Sequence, residues 1–124
     1  MKITGFEPII DTNNAENIIS LFEALGFEKI HAPVTELDTG KVTNTIMKDQ
    51  NGFRVDVTAS SLDLEADKTF IRMNVDNFEE AYKILTDYGF KNTRGDNTLD
   101  LSHASAATMV APTGLTIVIV KHIK

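Results

Sequence analysis

Phe22-Glu23-Ala24-Leu25-Gly26-Phe27 is answered 63 residues later by Leu85-Thr86-Asp87-Tyr88-Gly89-Phe90. In each copy an apolar residue, a glycine and a phenylalanine close what reads as a helix. Glycine adopts the left-handed conformation that commonly ends a helix, so it marks the stop. Before the first stop, apolar residues fall at Ala15, Ile18, Ile19, Phe22 and Leu25. Before the second they fall at Phe78, Ala81, Tyr82, Leu85 and Tyr88, again 63 positions on. These are helical spacings, so one face of each helix is expected to be buried. Asp11-Thr12-Asn13-Asn14 and Asp76-Asn77 supply capping residues at the two helix starts.

Strands flank both helices in the same order. Lys2 to Ile10 and Thr69 to Val75 read as the opening strands. Phe27 to His31 and Phe90 onward restart a strand after each glycine. Val42 to Lys48 reads as a third strand, with a turn at Asp38-Thr39-Gly40-Lys41. Asp49-Gln50-Asn51-Gly52 is a hairpin signal leading into the alternating strand Phe53 to Thr58. Ala111-Pro112-Thr113-Gly114 leads likewise into Leu115 to Val120, with Gly52 matching Gly114 at an offset of 62. Agreement of strand, cap, helix, stop and final hairpin predicts an α+β fold: two tandem βαβββ modules whose curved mixed sheets enclose a cleft. The module boundaries fall at about residues 1–60 and 68–124 of one domain, joined by a polar, acidic linker at about 59–67.

Composition restricts the chemistry. The 124 residues contain no cysteine, which excludes disulfides, thiolate metal sites and cysteine nucleophiles. The net charge of −6 and the lack of a basic cluster argue against a nucleic-acid partner. No apolar run approaches membrane-spanning length and no signal-peptide core follows Met1, so a cytoplasmic protein with no membrane partner is expected. There is no Gly-x-Ser-x-Gly elbow and no phosphate-binding glycine loop. Ser102 and His103 are neighbours without a third catalytic partner.

Three stretches resemble one superfamily: Leu21 to Phe27, Val75 to Tyr82, and Ala111 to Ile117. Together they are similar to the vicinal oxygen chelate proteins, which include glyoxalases, extradiol dioxygenases, methylmalonyl-CoA epimerases and the fosfomycin- and bleomycin-resistance proteins. The resemblance implies four metal-ligand positions, on the first and last strands of each module. In this chain they fall on Glu7, Asp56, Phe70 and Val118. A phenyl ring and an isopropyl group donate nothing to a metal, so the resemblance stops short of a full ligand set. His31, His103 and His122 fall in none of these columns. The expectation is no metal and no cofactor.

Strand alternation then sorts the side chains. Glu7, Ile9 and Asp11 share one face, as do Arg54, Asp56 and Thr58, then Phe70, Arg72 and Asn74, then Thr116, Val118 and Val120. Phe6, Pro8, Ile10, Phe53, Val55, Val57, Ile71, Met73 and Val75 are assigned to the helix side. The expected ligand-binding residues are Glu7, Arg54, Asp56, Phe70, Arg72, Asn74 and Val118, an apolar wall with a few polar groups. The leading reading is a metal-free binder of a small cationic or aromatic molecule, resembling the antibiotic-resistance branch, and not an enzyme. Two others stand beside it. One is a superfamily enzyme using Glu7 and Asp56 for a divalent metal or acid–base chemistry. The other is a non-catalytic dimerising scaffold with a vestigial cleft. The resemblance also carries the expectation of a homodimer.

Overall fold

The computed structural model describes residues 1–95, 99, 100 and 104–122. The chain divides into two compact units, residues 7–69 and residues 1–6 with 70–124. The opening strand β1 (Ile3–Thr12) therefore gives its first residues to one unit and its last six to the other.

In the unit of residues 7–69, β1 is followed by helix α1 (Ala15–Ala24), β2 (Glu28–His31), β3 (Val34–Leu37), β4 (Gly40–Lys48) and β5 (Arg54–Ala59). β1 and β5 run parallel, pairing Ile9 with Asp56 and Asp11 with Thr58. β4 is antiparallel to β5, with Ile46 opposite Asp56 and Asn44 opposite Thr58. β2 and β3 both pair with β4. Met47, Val55 and Val57 are buried and pack against Ile10, Ala15, Ile18, Ile19, Phe22 and Phe27. The Phe22 and Phe27 rings meet edge to face at 5.2 Å, closing the core beneath the helix end. The hairpin expected at Asp49 to Gly52 is present. The Asp49 carboxylate accepts the backbone N–H groups of Asn51 and Phe53, at 3.0 and 2.8 Å.

The other unit repeats this plan with β6 (Lys68–Val75), α2 (Phe78–Asp87), β7 (Lys91–Asn92), β8 (Leu99–Asp100), β9 (Ala104–Val110) and β10 (Thr116–His122). β6 and β10 are parallel, pairing Arg72 with Val118 and Asn74 with Val120. β9 is antiparallel to β10, with Thr108 opposite Val118. Val75, Ala81, Ala107, Met109, Ile117 and Ile119 form the core, flanked by Ile71, Met73, Phe78, Tyr82, Leu85 and Phe90. Asn77 caps α2 by accepting the Glu80 N–H at 3.1 Å. Each buried Val, Ile or Met side chain in these clusters contributes about 1.5–3 kcal/mol. The chain is thus an α+β protein of two βαβββ modules.

Several sequence expectations fail locally, and for physical reasons. Helical spacing puts Leu25 and Tyr88 on buried faces, but they are 64% and 80% exposed. They are the residues on which the helices end, and the chain turns outward there into Gly26 (φ +103) and Gly89 (φ +92). Alternation puts Phe53 in the core, yet it is 66% exposed, because β5 begins only at Arg54. Phe6 is also exposed, whereas Ile10 on the same side of β1 reaches the core. Asn14 stands at the start of α1 without a side-chain cap; β1 runs on to Thr12, whose hydroxyl accepts the Asn14 N–H at 2.9 Å. β3 has no counterpart among the expected strands. It exists because the Asp38-Thr39 turn folds Val34–Leu37 back onto β4.

Candidate functional site

The parallel register of β1 and β5 decides one face. Met47, Val55, Val57 and Ile10 point to α1, so Glu7, Ile9 and Asp11 on β1 and Asp56 and Thr58 on β5 lie on the opposite side. Arg54 shares that side at the exposed start of β5. Glu7 is 6% exposed and Asp56 is fully buried. A carboxylate taken so far out of water needs donors close by. Asn44 supplies some: its side-chain N–H₂ lies 3.2 and 3.3 Å from the two Asp56 carboxylate oxygens and donates to the Thr58 hydroxyl at 2.9 Å. The Thr58 hydroxyl donates onward to Asp56 Oδ1 at 3.0 Å. β4 places Asn44 there because its pair partner is Thr58.

Asp11 continues this acidic side. Burial pushes its carboxyl up from the ordinary aspartate value, and the charges of Asp56 and Asp67 push the same way. A hydrogen bond from Ser60 and the Lys68 ammonium act against them without cancelling the rise. Nearby, Asn13 fastens the segment after β5, accepting the Leu64 N–H and donating to the Leu62 carbonyl, both at 2.7 Å.

In the other unit, the register of β6 with β10 puts Phe70, Arg72 and Asn74 on the same side as Thr116, Val118 and Val120. That side faces away from the core formed by Ile71, Met73, Ile117 and Ile119. Phe70, Arg72, Asn74 and Val118 are all half-buried. Arg72 Nε donates to Asn74 Oδ1 at 3.2 Å. Asn74 lies directly over Gly5, where an added Cβ would come within 2.8 Å of Asn74 Nδ2 and 3.3 Å of its Cβ.

Of the residues expected at a site, Glu7, Arg54 and Asp56 therefore share one face, and Phe70, Arg72, Asn74 and Val118 share another. Each group lies within its own unit. Sequence reasoning misses Asn44. Its signal is an amide in alternation with buried Thr45 and Met47 on β4, a strand whose faces the sequence pattern leaves unassigned. His31 and His122 lie exposed at strand ends, and His103 is outside the described residues. Among the described residues, no group of three or more His, Cys, Asp or Glu side chains is placed to hold a metal ion. Among them, too, no helix is long and apolar enough to cross a membrane.

Comparison with solved structures gives the same architecture. The chain aligns with methylmalonyl-CoA epimerase from Mycobacterium tuberculosis at a TM-score of 0.73 and 14% identity, over 98% of this chain and 90% of that one. It aligns with a variant of the Streptomyces coelicolor methylmalonyl-CoA epimerase, in complex with 2-nitronate-propionyl-CoA, at 0.70 and 13%, over 99% and 100%. A glyoxalase/bleomycin resistance protein/dioxygenase superfamily member from Vibrio splendidus 12B01 aligns at 0.64 and 14%, over 94% and 97%. No protein-family profile matches the chain. No curated protein matches it. The structural likenesses show that this chain has the vicinal oxygen chelate fold.

The divalent metal associated with this fold does not suit the residues present. Phe70 and Val118 have no donor atom, and Asp56 spends lone pairs on Asn44 and Thr58.

Proposed function

We propose that this chain is a small-molecule-binding protein that works without a catalytic metal, by sequestration and not turnover. The observation that carries the reading is the contrast in donors: buried carboxylates at Glu7 and Asp56, but an aromatic ring at Phe70 and an aliphatic group at Val118. An apolar surface with a few oriented polar groups suits ligand recognition. Phe70 offers a ring for an aromatic or cationic group. Glu7 and Asp56 would receive positive charge, with Arg54 at the rim. Calorimetric titration with Zn²⁺, Mn²⁺, Ni²⁺ and Mg²⁺ tests the metal-free part. Micromolar or tighter binding, abolished in a Glu7→Ala/Asp56→Ala double variant, would overturn it. A thermal-shift screen with small aromatic, cationic and anionic compounds tests the binding part, which fails if no class stabilises the fold.

The burial of Glu7 and Asp56 also favours a second reading, an enzyme using one of them as an acid or base. Turnover lost in Asp56→Asn would support that reading against sequestration. A homodimer is proposed too. Exposed Leu25 and Phe53 in one unit and Tyr88 and Leu115 in the other are apolar positions that a second copy would cover. Sedimentation equilibrium giving a monomer at high micromolar concentration would remove this proposal.

A further inference from the structure

We infer that Asn51, at the tip of the hairpin between β4 and β5, is a covalent modification site: it deamidates spontaneously, through a ring closed by the backbone nitrogen of Gly52. This goes beyond the binding reading above and does not rest on it. The chemistry needs an asparagine side-chain amide open to attack, a following backbone nitrogen that can approach it, and water. A Cβ on the following residue crowds that approach, and glycine has none. Of the chain's asparagines only Asn51 precedes a glycine; the others precede Asn, Ala, Ile, Thr, Val or Phe.

The fold leaves both partners open. Asn51 and Gly52 are exposed. Among the described residues, nothing hydrogen-bonds to the Asn51 side chain, whereas its backbone N–H donates to Asp49 Oδ1. Nothing lies within 4 Å of the point where a Cβ on Gly52 would stand. Other asparagine amides are engaged: Asn13 holds Leu62 and Leu64, Asn44 holds Asp56 and Thr58, and Asn77 caps α2. The Gly52 N–H does donate to the Asp49 carbonyl, at 3.1 Å. That bond lies in an exposed turn, where opening is far faster than the making of covalent bonds. It therefore scales the rate by the open fraction and does not block the reaction.

The Gly52 nitrogen gives up its proton and bonds to Asn51 Cγ. The Cγ–Nδ2 bond breaks and ammonia leaves with that proton. Water then opens the cyclic imide at either carbonyl. One opening gives an aspartyl residue at position 51, the other an isoaspartyl residue whose backbone runs through the former side chain. Either product adds a negative charge two residues from the Asp49 carboxylate that accepts the N–H groups of residues 51 and 53. The isoaspartyl form also adds a methylene to the backbone of the turn that sets the β4–β5 register, and so bears on how Asn44 meets Thr58.

The turn itself does not need Asn51. Asp49 N–H donates to the Phe53 carbonyl at 2.9 Å. The matching hairpin closes with the same two backbone bonds, Ala111 N–H to Leu115 O and Gly114 N–H to Ala111 O, both at 2.9 Å. Thr113 stands there at the position of Asn51. Asn51→Thr is therefore a variant that keeps the hairpin.

The test incubates the intact chain at mildly alkaline pH and follows each asparagine by peptide mapping and mass spectrometry. Asn51 is expected to deamidate roughly tenfold or more faster than any other asparagine, because only its neighbour lacks a Cβ. Isoaspartyl product should outweigh aspartyl, read by an isoaspartyl-specific methyltransferase. Asn51→Thr should remove most of the acidic form that accumulates on isoelectric focusing. A rate at Asn51 no greater than at Asn17, exposed ahead of Ile18, overturns the inference, and that comparison needs no variant. So does an acidic form that builds up as fast in Asn51→Thr as in the wild type. A product that is aspartyl alone overturns it as well, since direct hydrolysis without the Gly52 ring leaves the backbone unchanged.

Discussion

Replacing Asn44 with alanine removes the amide that joins Asp56 and Thr58 of β5. Its N–H₂ reaches both Asp56 oxygens, at 3.2 and 3.3 Å, and the Thr58 hydroxyl at 2.9 Å. Hydrogen bonds to a charged acceptor contribute about 1.5–3 kcal/mol each, but the two contacts to Asp56 are long and share one nitrogen. They are counted here as a single bond at the lower end of that range. The neutral bond to Thr58 adds about 1 kcal/mol. Truncation returns about 0.5–1 kcal/mol of side-chain entropy. The net loss is therefore about 2 kcal/mol, or a fall in Tm of about 6–10 °C for a domain of this size.

Urea denaturation followed by circular dichroism measures this directly. A double-mutant cycle with Asp56→Ala separates the specific bond from general damage. Without the carboxylate, Asn44→Ala should cost about 1 kcal/mol less than it does in the wild type. A loss under about 0.5 kcal/mol in the single variant, or no coupling in the cycle, refutes the claim that Asn44 holds Asp56. Asn44→Asp is a harsher probe. It sets a second carboxylate against a buried one, so it should destabilise more than alanine at neutral pH.

Two further outcomes follow from the same side of the fold. The Asp11 carboxyl is raised in the folded chain by burial and by Asp56 and Asp67, so its ionisation works against folding. Its contribution is full below the ordinary aspartate value and is lost as pH rises through the raised one. The stability of Asp11→Asn relative to wild type should therefore increase from about pH 3 to pH 7 in urea titrations, and a difference that falls with pH contradicts this. The triple variant Asn44→Ala/Asp56→Val/Thr58→Val borrows the residue types of the other unit, Ala106, Val118 and Val120. It should unfold at a urea concentration at or above that of Asn44→Ala alone, since removing the buried carboxylate together with Asn44 and Thr58 costs less than leaving it buried with a donor lost. A lower midpoint would count against that view.

The backbone plan is legible because it rests on local chemistry. The glycine stops need positive φ, and Gly26 and Gly89 have it. Alternation along β1, β5, β6 and β10 assigns Glu7, Asp56, Arg72 and Val118 to the faces they occupy, because a one-residue slip would send valines to the wrong side. Periodicity misjudges the ends of elements. It counts Leu25 and Tyr88 as helix positions, although the helix axis no longer governs where a terminal residue points. Asn44 is hidden for a different reason. Its role depends on which strand lies beside β5, and pairing across a sheet is not written in either strand alone. The Gly5–Asn74 contact is of the same kind, a close approach between residues 69 positions apart.

The two units show which residues the fold itself demands. On the helix side, Met47, Val55 and Val57 correspond at an offset of 62 to Met109, Ile117 and Ile119, and all six are buried in their cores. The chemistry there repeats because each helix must be packed in the same way. On the opposite side nothing repeats: Glu7, Ile9 and Asp11 correspond to Phe70, Arg72 and Asn74, and Arg54, Asp56 and Thr58 to Thr116, Val118 and Val120. Val118 and Val120 fill their strand positions without a charge, so the architecture does not require a carboxylate at Asp56. Burying one costs solvation free energy that Asn44 and Thr58 offset only in part. Packing thus accounts for the helix side of both sheets, whereas the polar side chains of the opposite faces differ between the units. Within those faces, Asp56 and Arg72 are each bonded to an amide, Asn44 in one unit and Asn74 in the other.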